Sequence, residues 1–178
     1  PNDFVGAIQL RDHYLEEHSN AWSPNQFSNP DNILCHREIT APEIFNDVQK
    51  LGKNWSAFVH GAGTGGTIEG VRSYLKSGNL DTKVCLVEPL ESPHGIQGIS
   101  DGREFLARSS DMDHTIKIST SAVMSKCEDF ARTTGIFIGI SAAANILASE
   151  KYCEKFSFEG IVVTMLCDRG ERYLSLVG

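Results

Sequence analysis

The sequence has no C-x-x-C pair and no pair of histidines at metal-ligand spacing. Its five cysteines, Cys35, Cys85, Cys127, Cys153 and Cys167, are odd in number and scattered, which fits reduced thiols better than a disulfide framework and speaks against a structural metal. His13 and His18, the closest histidine pair, are five positions apart and miss the i, i+4 spacing that places two imidazoles on one helix face. Positive charge is scarce. Sixteen Lys and Arg against 23 Asp and Glu leave a net charge of -7 and a pI near 5.3, so nucleic acid and anionic membranes are poor partners and any anion must be held by a local site. The longest apolar runs, such as Ile161 to Leu166, are far shorter than the roughly 20 residues of a membrane-spanning helix. No charged-then-apolar leader opens the sequence, and no repeat or low-complexity tract interrupts it. The expectation is one cytoplasmic globular domain, since 178 residues with 40% hydrophobic and 22% charged content suffice for one core.

Glycine, by contrast, is concentrated. His60-Gly61-Ala62-Gly63-Thr64-Gly65-Gly66-Thr67-Ile68-Glu69-Gly70 follows the β-prone run Trp55 to Val59 and precedes the helically spaced Val71 to Lys76, so the glycines sit on a strand-to-helix turn. Such a turn binds anions, because glycine permits close backbone approach, the first helical amides are unpaired, and the helix dipole adds roughly half a positive charge. Thr64 and Thr67 add hydroxyls. Gly61, Gly63 and Gly66 satisfy the dinucleotide spacing G-x-G-x-x-G, with Glu88 placed as a ribose-binding acid. The block Gly63-Thr64-Gly65-Gly66-Thr67 equally suits a cup for one phosphate monoester. A merely tight turn explains little, since five glycines in ten residues cost backbone entropy without a packing return.

The remainder alternates strand and helix. Residues 4 to 20 read as an amphipathic helix covering a sheet face, and Trp22 to Asn32 as a loop. Thr40-Ala41-Pro42-Glu43 reads as a capping box that starts a helix running to about Lys50. Lys83 to Val87 is a buried strand, Glu88 to Arg108 a long loop of the kind that carries function, and Thr115 to Ile118 a third strand. A helix follows over Ser121 to Thr134, capped by Ser119 or Thr120. A thin, alanine-rich helix covers Ser141 to about Tyr152, and Ile161 to Leu166 is the last strand. The pattern is α/β with buried, mostly parallel strands.

Further blocks decide between the two ligands. Gln26-Phe27-Ser28-Asn29-Pro30 with Thr40-Ala41-Pro42-Glu43-Ile44, then Glu88-Pro89 through Ser92-Pro93 to His94-Gly95-Ile96-Gln97-Gly98-Ile99, then Gly139-Ile140-Ser141, and finally Asp168-Arg169-Gly170-Glu171-Arg172-Tyr173-Leu174-Ser175 resemble cysteine synthases in order and spacing. From about Gly6 to Ser175 the chain is similar to fold-type II pyridoxal-phosphate enzymes, the cysteine synthase and cystathionine β-synthase family. The resemblance implies the larger-domain part of a tryptophan synthase β-subunit-like fold: three layers, a twisted, mostly parallel sheet with helices on both faces.

It further implies pyridoxal 5'-phosphate as cofactor, its phosphate held by Gly63, Thr64, Gly65, Gly66 and Thr67. Gln26 matches a glutamine that helps bind the substrate carboxylate, and Gly98 and Ile99 open the glycine loop at the active-site mouth. That loop, Gly98-Ile99-Ser100-Asp101-Gly102, carries less glycine and alanine than in typical synthases, and the segment before it is shorter. Arg169 stands where typical synthases have a serine facing the pyridine nitrogen. A guanidinium only donates, so there it would keep that nitrogen unprotonated and weaken the ring as an electron sink; alternatively it turns away to pair with Asp168, Glu171 or Asp101. The same ending is similar to that of siderophore-precursor synthases of the family, which use an amino acid as nucleophile.

The family's Schiff-base lysine and Thr-Ser-Gly-Asn loop lie upstream of the matched region. Lys50, Lys53, Lys76, Lys83, Lys117, Lys126, Lys151 and Lys155 occupy positions the family does not use. Residues 1 to 178 are therefore read as the C-terminal part of a parent enzyme performing β-replacement on O-acetylserine or a similar activated serine with sulfide, commonly as a homodimer. The alternatives are cystathionine β-synthase, cysteine desulfhydrase, an amino-acid-nucleophile synthase, or a non-catalytic anion-binding paralogue.

Overall fold

A computed structural model of the chain describes residues 4–175. Four strands, β1 (Trp55–Gly61), β2 (Lys83–Pro89), β3 (His114–Ile118) and β4 (Ile161–Val163), form one parallel sheet in the order β3-β2-β1-β4. Their apolar runs are nearly continuous because both faces are covered. On one face Ala57, Val59, Cys85, Val87, Ile116 and Ile118 pack with residues of α5 (Thr120–Thr134) and α6 (Ile140–Lys155). On the other, Trp55, Phe58, Val84 and Leu86 pack with residues of α3 (Ala41–Lys50) and α4 (Gly66–Ser77). The expected three layers are present. Trp55 shares the face of Phe58 because the β1–β4 register shifts between Trp55 and Ala57. Ala142, Ala143, Ala144 and Ala148 are completely buried, so their small side chains bring α6 close to the sheet.

Three local expectations change. Thr40 is helical and makes no capping bond; helix already begins at Asp31, as α2 (Asp31–Cys35), and passes through a π turn (His36–Thr40) into α3. Proline inside a helix removes a hydrogen bond and crowds the preceding turn, and the π turn directly before α3 is where this helix absorbs Pro42. The first helix, α1 (Phe4–Glu17), does not cover the sheet. Val5, Ile8 and Leu15 are only half-buried and Leu10 is 70% exposed; Arg11 instead ties the helix to the following loop through Asn25 (2.7 Å). The last strand stops at Val163, because Thr164 gives its hydroxyl to the Val59 carbonyl (2.6 Å).

A buried polar network closes the end of β1. The Gly61 amide donates to Asn145 Oδ1 at 2.9 Å, and Asn145 Nδ2 donates to the Met165 carbonyl at 3.1 Å. His60 Nδ1 meets the Gly61 carbonyl, which can only accept, so Nδ1 carries the proton and Nε2 is left to accept from the Cys167 thiol at 3.5 Å. Burial pushes the His60 imidazole down to about 4, outweighing the Gly61 carbonyl, which favours the cation.

Two predictions follow from this packing. A Cβ on Gly70 would stand 2.5 Å from His36 Cβ, 2.6 Å from the Ile33 carbonyl oxygen and 2.9 Å from the Arg37 amide. Gly70→Ala, although about 1 kcal/mol better in helix propensity, is expected to lower the unfolding free energy by about 2 kcal/mol in urea titrations. The second concerns acid. His60 is neutral in the fold, so its contribution is complete above its unfolded pKa of 6.5 and is lost as pH falls toward about 4. Stability should drop by roughly 3 kcal/mol across that window, and His60→Asn should flatten the slope.

Candidate functional site

β1 ends at Gly61 and α4 begins at Gly66, so the turn between them lies at the carboxyl end of the sheet, where open α/β sheets bind ligands. The cap of α4 is Gly65, at φ 88° in the left-handed region. A Cβ there would also lie 2.7 Å from the Ala107 amide, and one on Gly66 would lie 2.0 Å from Asn32 Oδ1. Neighbouring atoms thus fill the space side chains would need. The amides of Gly63, Gly65 and Thr67 make no hydrogen bond among the described residues, which leaves donors at the positive end of α4 for an anion.

Four segments hold this turn. Asn32, on α2, donates from Nδ2 to the Gln26 carbonyl (2.9 Å) and to Thr64 Oγ1 (3.1 Å). His36, on the π turn, places Nε2 3.1 Å from Thr67 Oγ1, and burial draws its imidazole below the ordinary pKa. The Leu106 amide donates to the Thr64 carbonyl and the Ser100 amide to the Ala62 carbonyl, both at 2.9 Å. Asn145 holds Gly61 from beneath. None of Asn32, His36, Ser100 or Asn145 stands out in the sequence. Asn32 and His36 were findable: four apart on a helix, they share a face, but only if the helix is started at Asp31.

Gln26 reaches the turn through its backbone, by way of Asn32, while its side chain is exposed. Phe27 beside it packs against Phe105 with the rings tilted, centroids 4.8 Å apart. Gly98 has φ +94° and lies against Ser141, and Ile99 is buried in the core beneath the turn. The fold therefore gathers Gly63–Thr67, Gln26, Gly98 and Ile99. Arg169 lies apart from them. Its backbone pairs with Ile138, and its side chain is 85% exposed with Nε 3.9 Å from Glu171 Oε2. It lines an open cleft of about 720 Å³ with Phe137, Leu166, Cys167 and Asp168. Asp168 accepts the Tyr173 hydroxyl, whose pKa is pushed up to about 12 by burial first and by this carboxylate second.

Other chemistry is sparse among the described residues. All five cysteines are free, and burial drives Cys85 up to about 12, far from a thiolate. No group of three His, Cys, Asp or Glu is placed to hold a metal, and no helix is long and apolar enough to cross a membrane. Lys83 and Lys126, the half-buried lysines, pair with Asp81 and Glu150; the others are exposed.

Comparison with known proteins adds three relatives. A probable cysteine synthase of Bacillus subtilis (strain 168) is 36% identical over 180 residues, covering 96% of this chain and 58% of that protein. The solved O-acetylserine sulfhydrylase isoform 3 of Entamoeba histolytica superposes with a TM-score of 0.85 at 36% identity, over 96% of this chain and 53% of that one. A hydrogen sulfide-producing enzyme of Fusobacterium nucleatum gives a TM-score of 0.87 at 30% identity, over 97% and 55%. The chain thus spans a little over half the length of the relatives it matches. Residues 1–168 match the model of the pyridoxal-phosphate dependent enzyme family, and the chain belongs to that family.

Proposed function

We propose that this chain is the phosphate-holding part of a pyridoxal-phosphate enzyme of cysteine synthase type, which replaces the β-substituent of an activated serine with sulfide. The carrying observation is at Thr64. Its Oγ1 already accepts from Asn32 Nδ2 (3.1 Å) and from the Gly66 amide (3.3 Å), so its own proton remains to be given to an anion. With the amides of Gly63, Gly65 and Thr67, Thr64 gives a cup of neutral donors suited to one phosphate.

Bound pyridoxal phosphate supplies an electron sink that labilises the bonds at the substrate α-carbon. The residues of this chain bind and orient. Gly63, Thr64, Gly65, Gly66 and Thr67 fix the phosphate end. Gln26, next to the turn, takes the substrate carboxylate, and Gly98 opens the loop at the mouth where the second substrate enters, with Ile99 supporting it from the core beneath. Arg169, exposed and turned toward Glu171, takes the second of its two expected directions and has no role on the cofactor ring. The α-proton is removed by a lysine from the rest of the parent enzyme, in which this chain forms part of one domain. The reading implies a cytoplasmic homodimer acting on small amino acids, with neither nucleic acid nor membrane as partner, and the acidic net charge suits it.

The test uses the full-length parent enzyme. With O-acetylserine and sulfide it should form cysteine; cystathionine from homocysteine, or product only from an amino-acid nucleophile, would move the assignment to those branches. In the same protein Thr64→Val, which keeps the shape and removes the proton, should weaken pyridoxal phosphate binding about tenfold and leave pyridoxal, which lacks the phosphate, unaffected.

A further inference from the structure

Thr67 is the second hydroxyl of the turn, and its polar surroundings differ from those of Thr64. The described neighbour of its Oγ1 is His36 Nε2 at 3.1 Å, and the other nitrogen of that ring, Nδ1, lies 2.9 Å from Thr40 Oγ1. A neutral imidazole has one N–H and one lone pair, so the chain Thr40–His36–Thr67 can run in either of two directions. In one, Nδ1–H donates to Thr40 and the Thr67 proton is spent on Nε2, which turns oxygen lone pairs toward the turn. In the other, Thr40 donates to Nδ1, Nε2–H donates to Thr67 Oγ1, and the Thr67 proton is free to leave the ring side. A phosphate dianion offers only acceptors.

We propose that His36 is a positioning residue for the cofactor phosphate: the bound anion selects the Nε2–H form of the ring, which turns the Thr67 hydroxyl proton toward the phosphate. One proton leaves Nδ1 and one is taken up at Nε2 through solvent, so the ring stays neutral and no net charge moves. The inference rests on the turn being a phosphate site. The local fold supports it in two ways. Across the π turn the Ala41 amide donates to the His36 carbonyl, and the Thr40 hydroxyl lies against the ring at Nδ1. The close approach of Gly70 to His36 Cβ then leaves the ring little room to turn away. Half-burial disfavours the imidazolium at the same position.

The test is made on the 178-residue chain labelled with nitrogen-15 at histidine, with His36→Gln identifying the signal. Long-range proton–nitrogen spectra are recorded during titration with pyridoxal phosphate and, separately, inorganic phosphate. Saturation with either should leave His36 neutral with its proton on Nε2; a bound state protonated on Nδ1, or on both nitrogens, overturns the proposal. His36→Phe should weaken binding of both probes about tenfold. His36→Gln, whose amide can replace the Nε2–H donor, should restore it to within about twofold. Unchanged affinity in His36→Phe, or equal loss in Gln and Phe variants, overturns the role of His36 alone. Failure of either probe to saturate the chain, or full affinity in Thr64→Val, would remove the phosphate site itself and this role with it.

Discussion

Gly70 lets α4 lie against the π turn with no side chain between them. That contact sets the distance from which Asn32 and His36 can reach Thr64 and Thr67, and so governs how both hydroxyls of the turn are hydrogen-bonded. Gly66 repeats the device one turn earlier, where Asn32 Oδ1 occupies the space of a Cβ. The glycines thus serve two purposes that a motif alone does not separate. Gly65, through its left-handed φ, turns the chain into α4, while Gly66 and Gly70 bring a supporting helix close enough to aim the donors.

Aiming matters because of the charge of the whole. With a net charge of -7 the chain offers an anion no favourable long-range field, and the turn relies on oriented dipoles: open amides, a helix terminus and hydroxyl protons whose oxygens are already occupied. Such donors are effective only when preorganised. The surrounding structure supplies the preorganisation from distant parts of the sequence. Asn145, 84 positions from Gly61, holds the end of β1, while the Ser100 and Leu106 amides hold the turn at Ala62 and Thr64.

Much of this was legible in the sequence. The strand-turn-helix reading of residues 55–77 and the buried parallel strands rest on local periodicity and on glycine chemistry, while the three layers were implied by the family resemblance. What escaped was non-local or locally ambiguous. Thr40-Ala41-Pro42-Glu43 has the composition of a helix start, yet the helix arrives from Asp31, and only tertiary packing on α4 keeps the segment before Pro42 helical. The apolar residues of α1 are too sparse to bury, and Leu10 points outward. The direction of Arg169 depends on a backbone pairing with Ile138, which no spacing in the sequence announces. Asn145 lies within an alanine-rich helix that reads as packing, and its role appears only when its partner at Gly61 is known.

The central claim is that this chain grips its cofactor by the phosphate and carries no lysine of its own for covalent attachment. Incubating it with pyridoxal phosphate, reducing with borohydride and mapping the modified lysines by mass spectrometry addresses both halves. The account predicts a reversible one-to-one complex with only trace labelling scattered over surface lysines. Stoichiometric modification of a single lysine would contradict it and would place the attachment site within these residues.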